Sequence, residues 1–225
     1  MTRKVPRQQL FDIVAKCQPF PEAVRDEMAI PSYLHYNPLI RWLMWRRYEI
    51  IAELAPLTRE MAVLEFGCGT GVFLPELCER AGTVMATDIT PDYAMELSKR
   101  NALPVRFVND FTELVDGSVD CIIAADVLEH LPDLDEVIVT FRKKIRPGGW
   151  LIISGPTENK FYQVGRFLAG FSDKGDYHHT AIDAIIDRIC HFAFSPHTIR
   201  QLPHRLLPCL FKVALFQNAP PTTSR

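Results

Sequence analysis

The stretch VLEFGCGTGVFLPEL, residues 63–77, places three glycines in five positions, Gly67, Gly69 and Gly71, directly behind an apolar run that carries one acid, Glu65. An apolar run of five residues, AVLEF, reads as a buried strand. VFLPELCERA after the glycines reads as a helix with Pro75 tolerated in its first turn. A strand, a tight glycine turn and a helix open a unit of alternating strands and helices. Working outward, the same alternation repeats: strand TVMATD, helix TPDYAMELSKRN, strand VRFV, turn DGS, strand VDCIIAA, helix LDEVIVTFRKKI, turn RPGG and strand WLIIS. Such alternation predicts an α/β, doubly wound, parallel sheet covered on both faces. Thr90 is expected to cap the helix that follows the second strand, with Pro91 starting it. FAFSPHTIRQL and LFKVALFQN read as a closing hairpin added at the sheet edge, with Pro196, Pro203 and Pro208 blurring its boundaries.

The flanks are helical. NPLIRWLMWRRYEIIAEL carries Leu39, Trp42, Leu43, Tyr48 and Ile51 at mixed three and four spacing, and NKFYQVGRFLAGF carries Phe161, Val164, Leu168 and Phe171 on one side. The expected organisation is a helical extension over 1–58 covering the cofactor cleft, a core domain over 59–217 with a substrate-covering insertion at 155–180, and a disordered tail at 218–225.

At 225 residues and 48% apolar composition the chain is large enough for a substantial core. A formal net charge of −2 is too small to suggest binding driven by nucleic-acid counterions. The N-terminal MTRKVPRQQLFDIV has charge without an apolar core, and no run approaches the length of a membrane span, so a soluble, cytoplasmic protein is expected. The six cysteines are scattered without metal-ligand or disulfide spacing. Cys68, between glycines, reads as a small loop residue or a reactive thiol.

In a doubly wound sheet, ligands bind beyond the carboxyl ends of the strands, where the first strand-to-helix turn lies. The spacing is GxGxG rather than the GxGxxG of dinucleotide sites, and Glu65 two residues ahead is awkward for a phosphate but suits a cation. Asp88 ends the second strand about 20 residues beyond the loop, where an acid accepts from ribose hydroxyls. These features ask for a ligand with a ribose, a positive charge and no phosphate. S-adenosylmethionine meets all three.

VLEFGCGTG, ATDIT, NDF, IIAADVLEHL and IRPGGWLIIS, in that order, resemble the class I S-adenosylmethionine-dependent methyltransferases, and NPLIR and DVLEH are similar to the quinone-pathway O-methyltransferases among them. The resemblance implies a Rossmann-like, seven-stranded, mostly parallel sheet with an antiparallel C-terminal hairpin strand and an N-terminal helical cap. It implies S-adenosyl-L-methionine as cofactor, with Glu65, Gly67, Cys68, Gly69 and Gly71 around its methionine part and ribose. By the same resemblance Asp88 holds the ribose hydroxyls, Ile89 packs on adenine, and Asp110 with Phe111 meets the adenine amino edge. Asp126 and Val127 line the sulfonium, and Arg41 reaches the carboxylate. Asp110 also suits a plain turn and Arg41 a solvated helix face.

Methyl transfer to a hydroxyl needs alignment, a water-poor pocket and a route for the proton. His130, His178 and His179 are the candidates, each with an ordinary loop or surface role as the alternative. Asp126, Glu129 and His130 repeat a spacing that resembles a magnesium site in some quinone enzymes. The same DVLEH is widespread among metal-free relatives, and no metal is assigned. Aromatic and aliphatic residues in both flanks point to a small, apolar acceptor, most simply methylated at oxygen. Trp42 and Trp45 beside Arg41, Arg46 and Arg47 allow weak peripheral membrane contact. The competing classes are a noncatalytic S-adenosylmethionine-binding partner protein and a Rossmann-type oxidoreductase.

Overall fold

A computed structural model describes residues 3–17, 30–163, 180–203 and 208–219. Seven strands stand in the order β3-β2-β1-β4-β5-β7-β6. They are β1 (Ala62–Phe66), β2 (Thr83–Thr87), β3 (Val105–Phe107), β4 (Val119–Ala125), β5 (Ile145–Pro156), β6 (Phe194–Leu202) and β7 (Phe211–Asn218). The helices are α1 (Arg7–Lys16), α2 (Ile30–Leu34), α3 (Pro38–Leu54), α4 (Leu74–Arg80), α5 (Asp92–Arg100), α6 (Leu134–Lys144) and α7 (Ile182–His191). By contact the chain divides into Met1–Asn109 and Asp110–Arg225.

In the first unit β1 pairs with β2 and β2 with β3, both parallel. The centre of β1 is fully buried at Val63 and Leu64, as a strand covered on both faces must be. Helix α3 is capped by Asn37, whose side chain accepts from the Leu39 N–H at 2.9 Å, and Pro38 starts it. Its buried residues are Met44, Trp45, Arg47, Tyr48, Ile50, Ile51 and Ala52. The stripe is therefore shifted from the expected one: Tyr48 and Ile51 are buried as read, while Leu39 is 65% and Trp42 44% exposed. Of the expected membrane-facing set, Trp45 and Arg47 are buried and Arg46 is paired with Glu49 and Glu53, which leaves Trp42 as its exposed aromatic. Helix α5 begins at Asp92 with Pro91 as its cap residue and no side-chain cap bond, so Thr90 does not fill the expected role. Asp88 forms a turn ahead of the helix, accepting from the Thr90 N–H at 2.9 Å.

In the second unit β4 and β5 are parallel, and β7 inserts antiparallel between β5 and β6. The RPGG segment is not a separate turn. It bulges from β5, since Val119 opposes Ile145 while Cys121, two residues on, opposes Trp150. The Asn218 amide holds this bulge by donating to the carbonyls of Ile145 (2.8 Å), Arg142 (3.2 Å) and Arg146 (3.3 Å). The closing hairpin forms as read, and Pro196 sits at a register shift of the edge strand β6, where a missing N–H is tolerated. Strand β7 runs through Asn218. Of NKFYQVGRFLAGF, residues 160–163 are helical with Phe161 62% exposed, and Val164, Leu168 and Phe171 lie outside the described residues. Among the described residues no helix is long and apolar enough to cross a membrane.

Candidate functional site

The turn after β1 carries the first half of the predicted site. Gly67, Gly69 and Gly71 all have positive φ (72°, 50° and 70°), a backbone path that side chains with a Cβ rarely adopt. The Gly67 and Cys68 N–H groups donate to the Thr87 carbonyl at 2.9 and 3.1 Å, which anchors the turn to the end of β2. At Gly71 helix packing also demands a bare position. A Cβ there would lie 2.9 Å from Cα and Cβ of Ala94 on α5, so the third glycine is bare to let a helix in.

Asp88 lies immediately beyond β2 and is half-buried. One of its oxygens accepts from the Gly69 N–H at 2.7 Å and the other from Thr90. An ionised carboxylate offers about four lone-pair positions. Two are used here, and each oxygen retains one acceptor position. Ile89 beside it is 93% exposed, an apolar side chain standing in solvent.

Glu65 is 1% exposed, and its Oε2 has no hydrogen-bond partner. Burial first, and the negative charge of Asp88 second, push its carboxyl well above the usual carboxylate range. A buried carboxyl without a partner is costly unless a ligand satisfies it. A cationic, hydrogen-bond-donating ligand meets that demand, so the residues fit the expected cofactor. Cys68 is buried, and burial, Glu65 and Asp88 all push its thiol up, which suppresses the thiolate and favours the plain loop reading.

Arg41 is engaged elsewhere: its guanidinium donates to the carbonyls of His35 and of Tyr36 (2.9 Å), closing the corner between α2 and α3. The notable cation is Arg47, 2% exposed on the apolar stripe of α3. It donates to the Tyr33 hydroxyl at 3.2 Å and lies over the Tyr48 ring, 5.4 Å from its centroid. Tyr48 stacks on Phe73, just past the glycine turn, at 4.6 Å. Burial first pushes the Tyr33 and Tyr48 hydroxyls up, and a charge on Glu65 would add to both shifts. The sequence did carry a signal for Arg47: with Met44, Tyr48 and Ile51 it occupies the apolar i, i+3, i+4 face, where a charge needs a reason. A small apolar recess beside this cluster is lined by Leu10, Ile13, Val14, Tyr33, Leu34 and Thr70.

In the second unit Asp110 is exposed and caps the short 3-10 turn Phe111–Glu113, accepting from the Thr112 N–H at 2.8 Å. That bond, aided by Lys144, holds its carboxyl below the usual range. Asp126 follows β4 in the left-handed region at φ 53°, and the Ser154 hydroxyl donates to it at 2.6 Å. Val127 comes next, before the 3-10 turn Leu128–His130 that carries half-buried His130. His178 and His179 lie outside the described residues. Among the described residues no three His, Cys, Asp or Glu side chains gather closely enough to hold a metal ion.

A profile of the methyltransferase domain matches residues 40–206. The chain belongs to that family. S-adenosylmethionine is the cofactor of the domain, and the nicotinamide alternative falls away. A ubiquinone biosynthesis O-methyltransferase of Hydrogenovibrio crunogenus is 26% identical over 153 residues, 64% of this chain and 60% of that protein. The chain thus spans about 60% of that curated relative's length. The N-methyltransferase NodS of Bradyrhizobium japonicum, solved with S-adenosyl-L-homocysteine, has a TM-score of 0.62 at 18% identity, covering 88% of this chain and 97% of its own. The [4+2]-cyclase SpnF has a TM-score of 0.66 at 13% identity, covering 97% and 98%. These two likenesses concern the fold.

Proposed function

We propose that the protein transfers the methyl group of S-adenosylmethionine to a small, apolar organic acceptor at oxygen. The observation that carries this reading is the buried, partnerless Glu65 oxygen beside a turn of three left-handed glycines. Support for oxygen comes from the ubiquinone O-methyltransferase relative, and support for an apolar acceptor from the exposed Tyr36, Leu39 and Trp42.

In this reading the sulfonium supplies an already activated methyl group, and the chain supplies placement. Glu65, Gly67, Cys68, Gly69 and Gly71 surround the methionine part and ribose. Arg47, rather than Arg41, takes the carboxylate, since Arg41 is committed to two backbone carbonyls. A buried acid and a buried guanidinium acting on the same two tyrosines suit the two ends of an amino-acid head group. Asp88 accepts from the ribose hydroxyls, Ile89 covers adenine, Asp110 and Phe111 read its amino edge, and Asp126 with Val127 borders the sulfonium. As the oxygen gains the methyl group, its proton passes to a base, for which His130, His178 and His179 are proposed; the products are a methyl ether and S-adenosylhomocysteine.

Incubating the protein with methyl-labelled cofactor and a cell extract is expected to place label in an extractable, base-stable ether. Binding without turnover on any compound would favour the noncatalytic partner reading instead. Replacing Arg47 by Met should weaken cofactor binding about tenfold or more, the worth of one charge-assisted contact, while Arg41→Met should change it little; equal losses would return the assignment to Arg41.

Glu65 adds a pH signature. A carboxyl whose folded-state pKa is raised stabilises the free fold below its unfolded value and loses that contribution as pH rises through the folded value. A cationic ligand favours the ionised form, so binding should release close to one proton. Affinity then rises up to about tenfold per pH unit until the raised value is passed. Calorimetry in buffers of different ionisation heat measures this, and Glu65→Gln should flatten it. No proton release by the wild-type protein would remove Glu65 from the site.

A further inference from the structure

We propose that Lys144, the last residue of α6, is a positioning residue that gives the protein its preference for a 6-amino over a 6-oxo purine on the cofactor. The proposal rests on the assignment of Asp110 and Phe111 to the adenine edge.

The segment that carries these two residues, between β3 and β4, has little structure of its own beyond one 3-10 turn, and Thr112, Glu113, Val115 and Asp116 are exposed. Helix α6 ties it down. The ammonium group of Lys144, 8% exposed, donates to the Leu114 carbonyl at 2.6 Å and to Asp116 at 2.7 Å. One residue earlier the Lys143 carbonyl accepts from the Gly117 N–H at 2.8 Å. At the other end Phe111 meets the buried Phe141 ring edge-on, with centroids 5.7 Å apart.

A buried ammonium is costly unless its donors are satisfied, so Lys144 cannot swing free, and it fixes the carbonyl of Leu114, the residue whose N–H closes the 3-10 turn onto the Phe111 carbonyl. Asp116 is 66% exposed, which leaves that ion pair largely screened and makes the Leu114 carbonyl the firmer anchor. The positive charge also favours ionised Asp110. An ionised carboxylate only accepts hydrogen bonds. It rewards the donor N–H of a 6-amino purine and repels the acceptor oxygen of a 6-oxo purine. Lys144 touches neither purine and acts through the turn.

Calorimetric titration with S-adenosylhomocysteine and its inosine counterpart tests this. Wild-type protein is expected to prefer the adenine compound by at least about tenfold. Lys144→Met should lose most of that preference by weakening the adenine compound alone. Asp116→Asn, which leaves the Leu114 contact in place, should keep it. If the methionine variant does not fold, Lys144→Gln, neutral and one atom too short to hold the Leu114 carbonyl as firmly, carries the test and should show a reduced preference. An unchanged preference in a folded Lys144 variant, or an equal weakening of both compounds, overturns the proposal while leaving the cofactor assignment intact. Wild-type protein that binds neither compound overturns that assignment first.

Discussion

Replacing Asp88 by Ala is expected to weaken S-adenosylhomocysteine binding by a factor of about 100 or more. Two charge-assisted bonds to a ribose diol, each worth about 1.5–3 kcal/mol, set that scale. The loss has a second origin in the turn itself. Asp88 satisfies the N–H groups of Gly69 and Thr90, so without it the glycine turn and the lead into α5 lose a shared acceptor. The two origins separate experimentally. Asp88→Asn keeps one side-chain oxygen for the backbone and should retain more of the turn than of the ribose affinity. An analogue lacking both ribose hydroxyls should bind wild type and Asp88→Ala within about threefold of each other if the ribose contact dominates. Wild-type affinity for S-adenosylhomocysteine in Asp88→Ala would remove the residue from the site.

The second large effect belongs to Gly71. An alanine there meets Ala94 and Leu74 at 2.9 Å and must hold φ at 70°, so overpacking and backbone strain act together. The expected destabilisation is about 2–4 kcal/mol, or a fall in Tm of about 5–15 °C for a domain of this size. Gly148 is the control. Its φ of 78° is equally unfavourable for alanine, yet nothing lies within 4 Å of the added carbon. Gly148→Ala should therefore cost only about 1 kcal/mol. Equal effects at the two positions would mean that contact with α5 contributes nothing.

These glycines also show where reading the chain stopped. Their number and spacing after AVLEF identified a strand and a tight turn, and all three are left-handed. That Gly71 must be bare for packing depends on Ala94, 23 residues away, and no local pattern contains that distance. The same holds for the arginines. Arg41 and Arg47 both sit on one amphipathic helix, and resemblance to NPLR favoured the first. Its guanidinium closes a helix corner instead, while Arg47 is buried against Tyr33, a partner contributed by a separate helix. Thr90 has the side chain of a cap but not the position, since Pro91 stands directly before the helix.

Strand and helix order, the parallel core, the edge hairpin and the acids at the ends of β1 and β2 were legible from sequence because each follows from periodicity or from neighbours a few residues apart. The shifted stripe of α3, the bulged start of β5, the burial that strands Glu65 and the amine that pins Leu114 were decided only by tertiary structure. Each is set by which surfaces meet at long sequence separation, and it is that meeting, not the residue type, that removes water and makes a lone charge matter.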